Sequence, residues 1–123
     1  MKTCCVSKRY SISEVMESFK MNKERVAVVL SDSEKVIGVV SQGDIIKALV
    51  SGCDIHANVC QIIKPSFLYL NSKDMEKAYK IFRDLKITML PIVDENFKLV
   101  DVITLDSVYD YLEKRNSIAL AVR

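Results

Sequence analysis

The sequence predicts a mixed α/β (α+β) fold of two similar halves, each with the order helix–strand–strand–helix, related by pseudo-twofold symmetry. The first observation is a repeat: residues 36–45 (VIGVVSQGDI) match residues 99–108 (LVDVITLDSV) in residue class, and the same shift of 63 positions aligns residues 12–50 without a gap. The second is that helical spacing of apolar residues alternates with continuous apolar runs. Because 50% of the residues are hydrophobic and halves of about 50 residues are marginal alone, we expect one shared core.

The first half begins with a helix predicted over residues 11–20, because apolar residues recur there at helical spacing. Ser11 is a plausible N-cap, and Glu14 completes a capping box. The continuous apolar runs 26–30 and 36–40 predict two strands buried on both faces, joined by a polar turn. A second helix follows, and its apolar face consists of Ile45, Ile46, Leu49 and Val50.

The second half repeats this order with its own boundaries. A short strand is predicted over residues 67–70, after Pro65, and a helix over residues 75–85. The apolar runs 88–93 and 99–104 predict the next two strands. The last helix is expected to turn three apolar side chains inward, those of Val108, Tyr109 and Leu112.

Composition excludes several classes of protein. The net charge is +2 and the basic residues are scattered, so the chain has no basic stripe for nucleic acid. No apolar run reaches the roughly 18 residues of a membrane span, and the first residues do not resemble a signal peptide. The four cysteines show no disulfide-framework spacing. We therefore expect a cytoplasmic protein with reduced cysteines and with neither a nucleic-acid nor a membrane partner.

Neither catalysis nor a bound metal is expected. The chain has one histidine, which removes most acid–base schemes, and it has no glycine-rich phosphate loop or nucleophile motif. Cys53, His56 and Cys60 have a spacing that superficially resembles metal ligands. No second cluster is present to close such a site, so we interpret them as residues of a connecting loop.

Ser41 and Asp44 are the candidate binding residues. They are three positions apart where a predicted strand gives way to a helix, which places them on one side of the first helical turn. A helix N-terminus favours phosphate, the Ser41 hydroxyl can donate to a phosphate oxygen, and the Asp44 carboxylate can accept from two ribose hydroxyls. Gly43 leaves room for close approach of the backbone. The competing interpretation is that Ser41 and Asp44 only cap the helix.

The doubled order helix–strand–turn–strand–helix, with GVVSQGD at residues 38–44, resembles a tandem cystathionine-beta-synthase (CBS) domain pair, or Bateman module. The resemblance covers about residues 6–115. Within the family, the segment 44–54 is closest to CBS pairs that are fused ahead of sugar-phosphate nucleotidyltransferases.

The resemblance implies two CBS repeats, residues 6–52 and 65–115, joined by a connecting loop and short helix over residues 53–64. Residues 116–123 form a tail whose strand-like apolar run resembles the first strand of a nucleotidyltransferase domain. The tail is therefore a possible start of a missing downstream domain. A segment that swaps into a neighbouring subunit and a disordered end are the alternatives.

The resemblance also implies a ligand and the residues around it. Similar CBS pairs use a Ser/Thr-x-x-Asp motif to hold adenosine compounds, so AMP, ADP, ATP or S-adenosylmethionine is expected here, and no cofactor is required. In the family, the base lies between the segment before the first helix and the first strand. The predicted nucleotide site therefore consists of Ser41, Gly43, Asp44, Tyr10, Ala27 and Val28.

The second copy departs from this pattern. The position three after Thr104 is Ser107 rather than an acid, and Asp106 comes one residue early, which turns it by about 100° around the helix. Asp101 replaces the glycine and must be paired if it is buried. We expect a second site that is weak, empty or altered, with Asp106 or Ser107 acting as a cap. Its residues are Thr104, Ser107, Leu90 and Pro91.

These features predict a non-catalytic regulatory module that binds an adenosine nucleotide and controls an attached or associated enzyme, expected to be a sugar-phosphate nucleotidyltransferase. The alternative is a ligand-free oligomerisation or scaffolding module. We expect a homodimer in either case, because CBS pairs commonly dimerise through the helices that flank the sheets, here the predicted helices over residues 11–20 and 74–85.

Overall fold

The structure is a computed structural model that describes the backbone of residues 3–64 and 66–122 and, within these, the side chains up to residue 116. Pro65 lies outside the described residues. The described elements follow the order β1 (Cys5–Ser7), α1 (Ile12–Asn22), β2 (Val26–Leu30), β3 (Val36–Ser41), α2 (Gln42–Val50), a 3₁₀ turn (Val59–Gln61), α3 (Met75–Leu85), β4 (Met89–Val93), β5 (Leu99–Thr104) and α4 (Leu105–Val122). We call residues 3–52 the first half, residues 53–64 the connecting segment and residues 66–122 the second half.

The two halves repeat each other in backbone register. β2 pairs antiparallel with β3 from Val26 opposite Ser41, and β4 pairs antiparallel with β5 from Met89 opposite Thr104. Both hairpins carry an irregularity at the matching position. α1 and α3 have 11 residues each, and each ends at a lysine in the left-handed conformation. The shift of 63 positions read from the sequence therefore also holds in the strand pairing.

The turns of the two hairpins contact each other across a pseudo-twofold axis. The Val36 N–H donates to the Phe97 carbonyl at 2.9 Å, and the Leu99 N–H donates to the Glu34 carbonyl at 3.0 Å. The repeat shift converts each of these bonds into the other, as a twofold rotation requires. The predicted pseudo-twofold symmetry and fold class are confirmed.

The sheets of the two halves differ in strand number. β1 adds a third strand to the first sheet by pairing parallel with β2, and it was not among the predicted elements. The strand predicted over residues 67–70 is wrong, because only Leu70 pairs, in a single parallel bridge with Ile92. The aromatic residues before it pack their rings together, with the Phe67 and Tyr69 centroids 5.8 Å apart. A β-favouring composition reflects packing on a half-buried surface and does not ensure a ladder.

The buried apolar side chains form three clusters. One lies within each half, between its sheet and helices. The third joins the halves, as the shared-core expectation requires, because a common core offsets the small size of each repeat. Its buried members are Cys4, Cys5, Val28, Leu30, Val36, Met89, Val93 and Val102.

The segment that connects the halves packs on the first of them. Asn58 forms an isolated bridge with Ser11, and its side-chain amide donates to the Lys8 carbonyl at 2.9 Å. Further along, Ile63 covers Gly38, where an added Cβ would lie 3.1 Å from the Ile63 Cδ1 atom. Gly38 therefore allows close packing of the connecting segment on the middle of β3, because a larger residue would require Ile63 to shift.

The chain after residue 113 continues as helix α4 to Val122, so the expectation of a strand-like tail is wrong for these residues, whereas Arg123 lies outside the described ones. Alanine and leucine at residues 119–121 favour helix, and a strand would need a partner ladder. α4 is tied to α3 by the Tyr111 hydroxyl, which donates to Glu76 Oε1 at 2.9 Å. This bond raises the pKa of Tyr111 above its ordinary value.

Candidate functional site

Ser41 and Asp44 lie at the junction of β3 and α2, and each side chain satisfies the backbone of the other. The Ser41 hydroxyl accepts from the Asp44 N–H at 3.1 Å, and Asp44 Oδ2 accepts from the Ser41 N–H at 2.9 Å. This reciprocal pair is a capping box, which satisfies two N–H groups that a helix start leaves unpaired. The two candidate residues are therefore brought together, and they cap the helix as the competing interpretation holds.

The capping box leaves two groups of this junction available to a ligand. Asp44 Oδ1 accepts no hydrogen bond from the described residues. The N–H of Gln42 donates to the Arg25 carbonyl at 2.8 Å, which leaves the N–H of Gly43 as the donor of the first turn that can face an anion. A Cβ at Gly43 would meet only the Ser41 hydroxyl, at 3.7 Å, so the space beside it is open.

The end of β3 opens into a cavity of about 390 Å³ between the two halves, which we call the first cleft. The first half contributes Val26, Val39 and Ser41 to its wall, and the second half contributes residues 66–68 and 86–89. The wall is largely apolar, which suits a small molecule that has a planar apolar part and a few polar groups.

The second-half wall of the first cleft contains functional candidates that sequence reasoning missed. Lys86 brings a cation whose ammonium has no partner among the described residues, and Phe67 brings an aromatic ring. The sequence of one repeat alone does not reveal these residues, because both repeats contribute residues to the wall of each cleft. The available signal was the repeat itself, which makes residues 86–89 the equivalents of residues 23–26 beside the first hairpin.

Five of the six predicted residues of the first site lie outside the lining of the first cleft, and Ser41 is the one that lines it. Ala27 is 1% exposed in the core of the first half, and Val28 is 0% exposed in the shared core. Tyr10 packs against the first-half core, and its carbonyl accepts from the Val59 N–H at 2.9 Å. The structure thus gathers Ser41, Gly43 and Asp44 at one junction, of which Ser41 lines the cleft, and ligand contact by all six residues stays a prediction.

A second cleft of about 300 Å³ lies at the pseudo-twofold equivalent position. Val26 and Met89, which are equivalent in the repeat, line both clefts, so the two cavities are neighbours near the axis. The second cleft contains two cations and two carboxylates. Its lining consists of Lys23, Glu24, Arg25, Val26, Thr88, Met89, Thr104, Leu105 and Asp106.

The second helix start has hydroxyl groups where the first has a hydroxyl and a carboxylate. Thr104 Oγ1 and Ser107 Oγ lie 2.9 Å apart, and the Ser107 N–H donates to Thr104 Oγ1 at 3.2 Å. Ser107 therefore takes part in the cap, which was one of the predicted alternatives. Leu90 and Pro91 are buried in β4 and do not line the second cleft. No carboxylate takes the place of Asp44 in this cap.

Asp101, which replaces the glycine of the first copy, is partly buried and paired. Its Oδ1 accepts from the Val102 N–H at 2.8 Å, and its Oδ2 lies 3.9 Å from the Lys73 ammonium. Its side chain is 31% exposed. These contacts supply the compensation that a carboxylate needs away from bulk water.

The predicted connecting-loop residues Cys53, His56 and Cys60 do not form a metal cluster. Among the residues that the structure describes, no group of three or more His, Cys, Asp or Glu side chains could hold a metal ion. The same part of the chain contains no helix with both the length and the hydropathy that a membrane crossing requires.

Comparison with known proteins assigns the fold to a family. The family model of the CBS domain matches twice, over residues 4–51 and 59–114. The chain therefore belongs to the CBS-domain family, as a tandem pair.

Two curated relatives place this pair inside longer proteins. The magnesium transporter MgtE of Thermus thermophilus is 34% identical over 86 residues, which cover 69% of this chain and 18% of the transporter. Arabinose 5-phosphate isomerase GutQ of Salmonella typhi is 28% identical over 100 residues, which cover 80% of this chain and 31% of the isomerase. The chain thus spans less than a third of each of these relatives.

Three solved structures share the fold. A putative acetoin utilization protein (AcuB) from Vibrio cholerae has a TM-score of 0.80 at 16% identity, and the match covers 97% of this chain and 88% of the AcuB chain. CBSX2 in complex with AMP has a TM-score of 0.77 at 24% identity, and the match covers 91% of this chain and 88% of the CBSX2 chain. The cytosolic domain of the Mg²⁺ channel MgtE in complex with ATP has a TM-score of 0.70 at 26% identity, and the match covers 87% of this chain and 44% of the MgtE chain.

Proposed function

We propose that this chain is a regulatory CBS pair that binds an adenosine nucleotide in the first cleft. One observation carries the proposal: Ser41, the N-cap of α2, lines a cavity between the halves, and next to it one Asp44 carboxylate oxygen and the Gly43 N–H group are unused. The expected ligands are AMP, ADP, ATP or S-adenosylmethionine. Similar folds have been solved with AMP and with ATP, which supports the choice of an adenosine compound.

Each part of a nucleotide has a partner in this arrangement. The unused oxygen of Asp44 accepts from the ribose hydroxyls. The N–H of Gly43, the positive end of the α2 dipole and the Lys86 ammonium attract the phosphate. The base packs among apolar side chains that include Phe67 and Val39. Micromolar affinity, which corresponds to about 8 kcal/mol, is reasonable for these contacts.

A ligand in the first cleft would regulate by contacting both halves at once. Because the cavity wall is shared between them, a bound nucleotide favours the relative placement of the halves that best closes on it. The proposal assigns no catalytic step to this chain. The bound state passes to an attached or associated enzyme, and a sugar-phosphate nucleotidyltransferase in the cytoplasm remains the prediction from sequence.

We also propose a homodimer formed through the helices. Every α-helix exposes at least one large apolar side chain, as a surface for a second copy requires. The dimer contact predicted from the sequence uses α1 and α3, whose exposed apolar residues, Met21 and Leu85, lie near the ends of these helices. The five side chains concerned are Met21, Ile46, Val50, Leu85 and Tyr109.

The second candidate function is a ligand-free oligomerisation module. The observation that favours it is the capping box, since both Ser41 and Asp44 are already engaged by the backbone. A matched control separates the two candidates, because the start of α1 carries the same box from Ser11 and Glu14, with distances of 3.1 and 3.0 Å. Removing either acid breaks a cap, but only Asp44 shares its cap with a residue that lines the first cleft, Ser41.

The test is calorimetric titration of AMP into the unmodified chain, Asp44→Ala and Glu14→Ala. We expect both variants to lose about 1 kcal/mol of unfolding free energy from the broken cap. Only Asp44→Ala should weaken AMP binding, by tenfold or more, because hydrogen bonds to a charged acceptor contribute about 1.5–3 kcal/mol each.

Ser107→Ala is the symmetric control and should leave AMP binding at the first cleft unchanged. The same titrations with ADP, ATP and S-adenosylmethionine identify the preferred ligand. Absence of heat with all four compounds, in a chain that unfolds cooperatively, would reject the nucleotide proposal and leave the oligomerisation module.

A further inference from the structure

A third cavity lies at the end of the sheets opposite to the two clefts. β2 runs from Val26, which lines both clefts, to Leu30, which lines this cavity. Its volume is about 650 Å³, within the range of small-molecule sites. We call it the hairpin cavity, and its lining consists of Cys5, Ser7, Leu30, Ser31, Asp32, Glu34, Leu99 and Val100.

The repeat identifies the second-half counterparts of two lining residues. Phe97 is equivalent to Glu34 by the shift of 63, and both residues have a φ of 64°. The edge segment follows from the parallel pairing: Val6 lies opposite Val29, and Leu70 lies opposite Ile92, the repeat equivalent of Val29. Leu70 thus takes the place of Val6, and Tyr69 takes the place of Cys5.

The second half fills this position with its own aromatic rings. The centroids of Tyr69 and Phe97 lie 4.9 Å apart in an edge-on arrangement, and Phe67 lies 6.3 Å from Phe97. Edge-to-face pairs at such distances are favourable beyond the burial of their area. The first half has a small thiol and a carboxylate instead, at Cys5 and Glu34, and these leave the space open.

The lining of the hairpin cavity contains two carboxylates and no basic side chain, and Lys8 and Arg9 both pair with one of these carboxylates, Asp32. Asp32 is already neutralised, because the Arg9 guanidinium donates to both of its oxygens, at 2.9 and 2.6 Å. Glu34 has no ion pair or side-chain hydrogen bond within the described part of the chain. The apolar side chains of Leu99 and Val100 line the same cavity as Glu34, and Val100 is 60% exposed.

We propose that the hairpin cavity binds a small aromatic amine. The aromatic ring takes the place that Tyr69 and Phe97 fill in the second half, and the ammonium group pairs with the Glu34 carboxylate. The apolar side chains of Leu30, Leu99 and Val100 contact the ring, and the unpaired Glu34 carboxylate accepts from the ammonium group. This site is separate from the first cleft and does not depend on the proposed nucleotide function.

The test compares two probes that share an indole ring and differ in charge, tryptamine and indole-3-acetate. Binding to the full chain is followed by proton–nitrogen NMR, with shifts expected at residues 30–34 and 99–100. We expect tryptamine to bind with submillimolar affinity and indole-3-acetate at least tenfold more weakly. Glu34→Gln, which keeps the shape of the side chain, should weaken tryptamine about tenfold and remove the preference between the probes.

A filled variant provides the second arm. Cys5→Tyr with Glu34→Phe copies the second half and should abolish tryptamine binding while keeping cooperative urea unfolding. Glu34→Phe alone serves if the double variant does not fold, since Phe97 already occupies the same backbone conformation. Equal binding of the two probes, retention of tryptamine by a filled variant, or no binding of tryptamine at millimolar concentration would each overturn the proposal.

Discussion

The two halves of this molecule share a backbone and differ in what surrounds it. The first half has a three-stranded sheet that includes β1, whereas the second half has a two-stranded sheet. Ile63 of the connecting segment packs over Gly38 in the first half, and the equivalent position of the second half is Asp101. The helix starts differ in the same way, since the first pairs a hydroxyl with a carboxylate and the second pairs two hydroxyls. A repeat therefore preserves strand register, which many residues determine together, while single side chains make the two helix starts chemically different.

The largest effect is expected where the repeated cores differ in size. Leu90 is fully buried in β4, and its equivalent in β2 is Ala27. Leu90→Ala should lower the free energy of unfolding by about 2–5 kcal/mol, because it removes buried methyl groups and leaves a cavity. Urea denaturation measures the change.

Lys80→Ala is the control for Leu90→Ala, because Lys80 is exposed on α3 and lies outside the side chains that we propose for the homodimer. Its cost should stay within about 0.5 kcal/mol, as for most surface substitutions. A cost for Leu90→Ala as small as that of the control would show that the second half does not depend on its own core.

An intermediate effect is expected at the glycine that distinguishes the halves. Gly38→Ala places a methyl group 3.1 Å from Ile63 Cδ1 and 3.3 Å from Ile63 Cβ, so the connecting segment must shift. We expect a loss of about 1–3 kcal/mol, as for other overpacked sites, measured as a lower urea midpoint. Ile63→Ala in the same chain should recover part of the loss that Gly38→Ala causes.

The matched control for Gly38→Ala is Asp101→Ala in the second half. It removes a partly exposed ion pair with Lys73, and such pairs contribute about 0–1 kcal/mol. Equal costs for Gly38→Ala and Asp101→Ala would contradict the packing role that we assign to the connecting segment.

The smallest effect is expected from an ion pair present in the first half at its hairpin turn. The hydrogen bond from Arg9 holds the pKa of Asp32 below its ordinary value, and the charges of Arg9 and Lys8 act in the same direction. A lowered pKa in the folded state stabilises the fold above the unfolded pKa of about 3.9, and the contribution is lost as the pH falls through the folded value.

Asp32→Asn should therefore lower the melting temperature slightly near pH 7, and the difference from the unmodified chain should vanish as the pH falls below 4. The equivalent residue of the second half is Glu95, whose side chain makes no ion pair among the described residues, and Glu95→Gln should leave the melting temperature near pH 7 unchanged. Thermal melts at several pH values give the comparison. A difference for Asp32→Asn that grows towards low pH would contradict the assigned sign.

Several elements could be predicted from the sequence because their signals are local. The helix over residues 75–85 and the strands over residues 26–30 and 99–104 agree with the structure, since each depends on periodicity or on a continuous apolar run. The capping boxes were readable for the same reason, because both partners lie within four residues.

Other features depend on residues distant in the chain. β1 is three residues long and exists through its parallel pairing with β2. The strand predicted over residues 67–70 reduces to one bridge, since its aromatic rings pack on Phe97 instead. Residues 116–122 are helical because their composition favours helix and no strand of the described residues pairs with them.

The amino-acid sequence by itself determined the repeat, the two strands of each hairpin and the hydroxyl–carboxylate pair of Ser41 and Asp44. These properties follow from short-range spacing, which is fixed by the order of residues. Only the tertiary structure decided what lies opposite that pair, because the pseudo-twofold axis brings residues 66–68 and 86–89 of the second half across the first cleft. It likewise decided that one end of the first half stays open where the second half fills the space with its own aromatic rings.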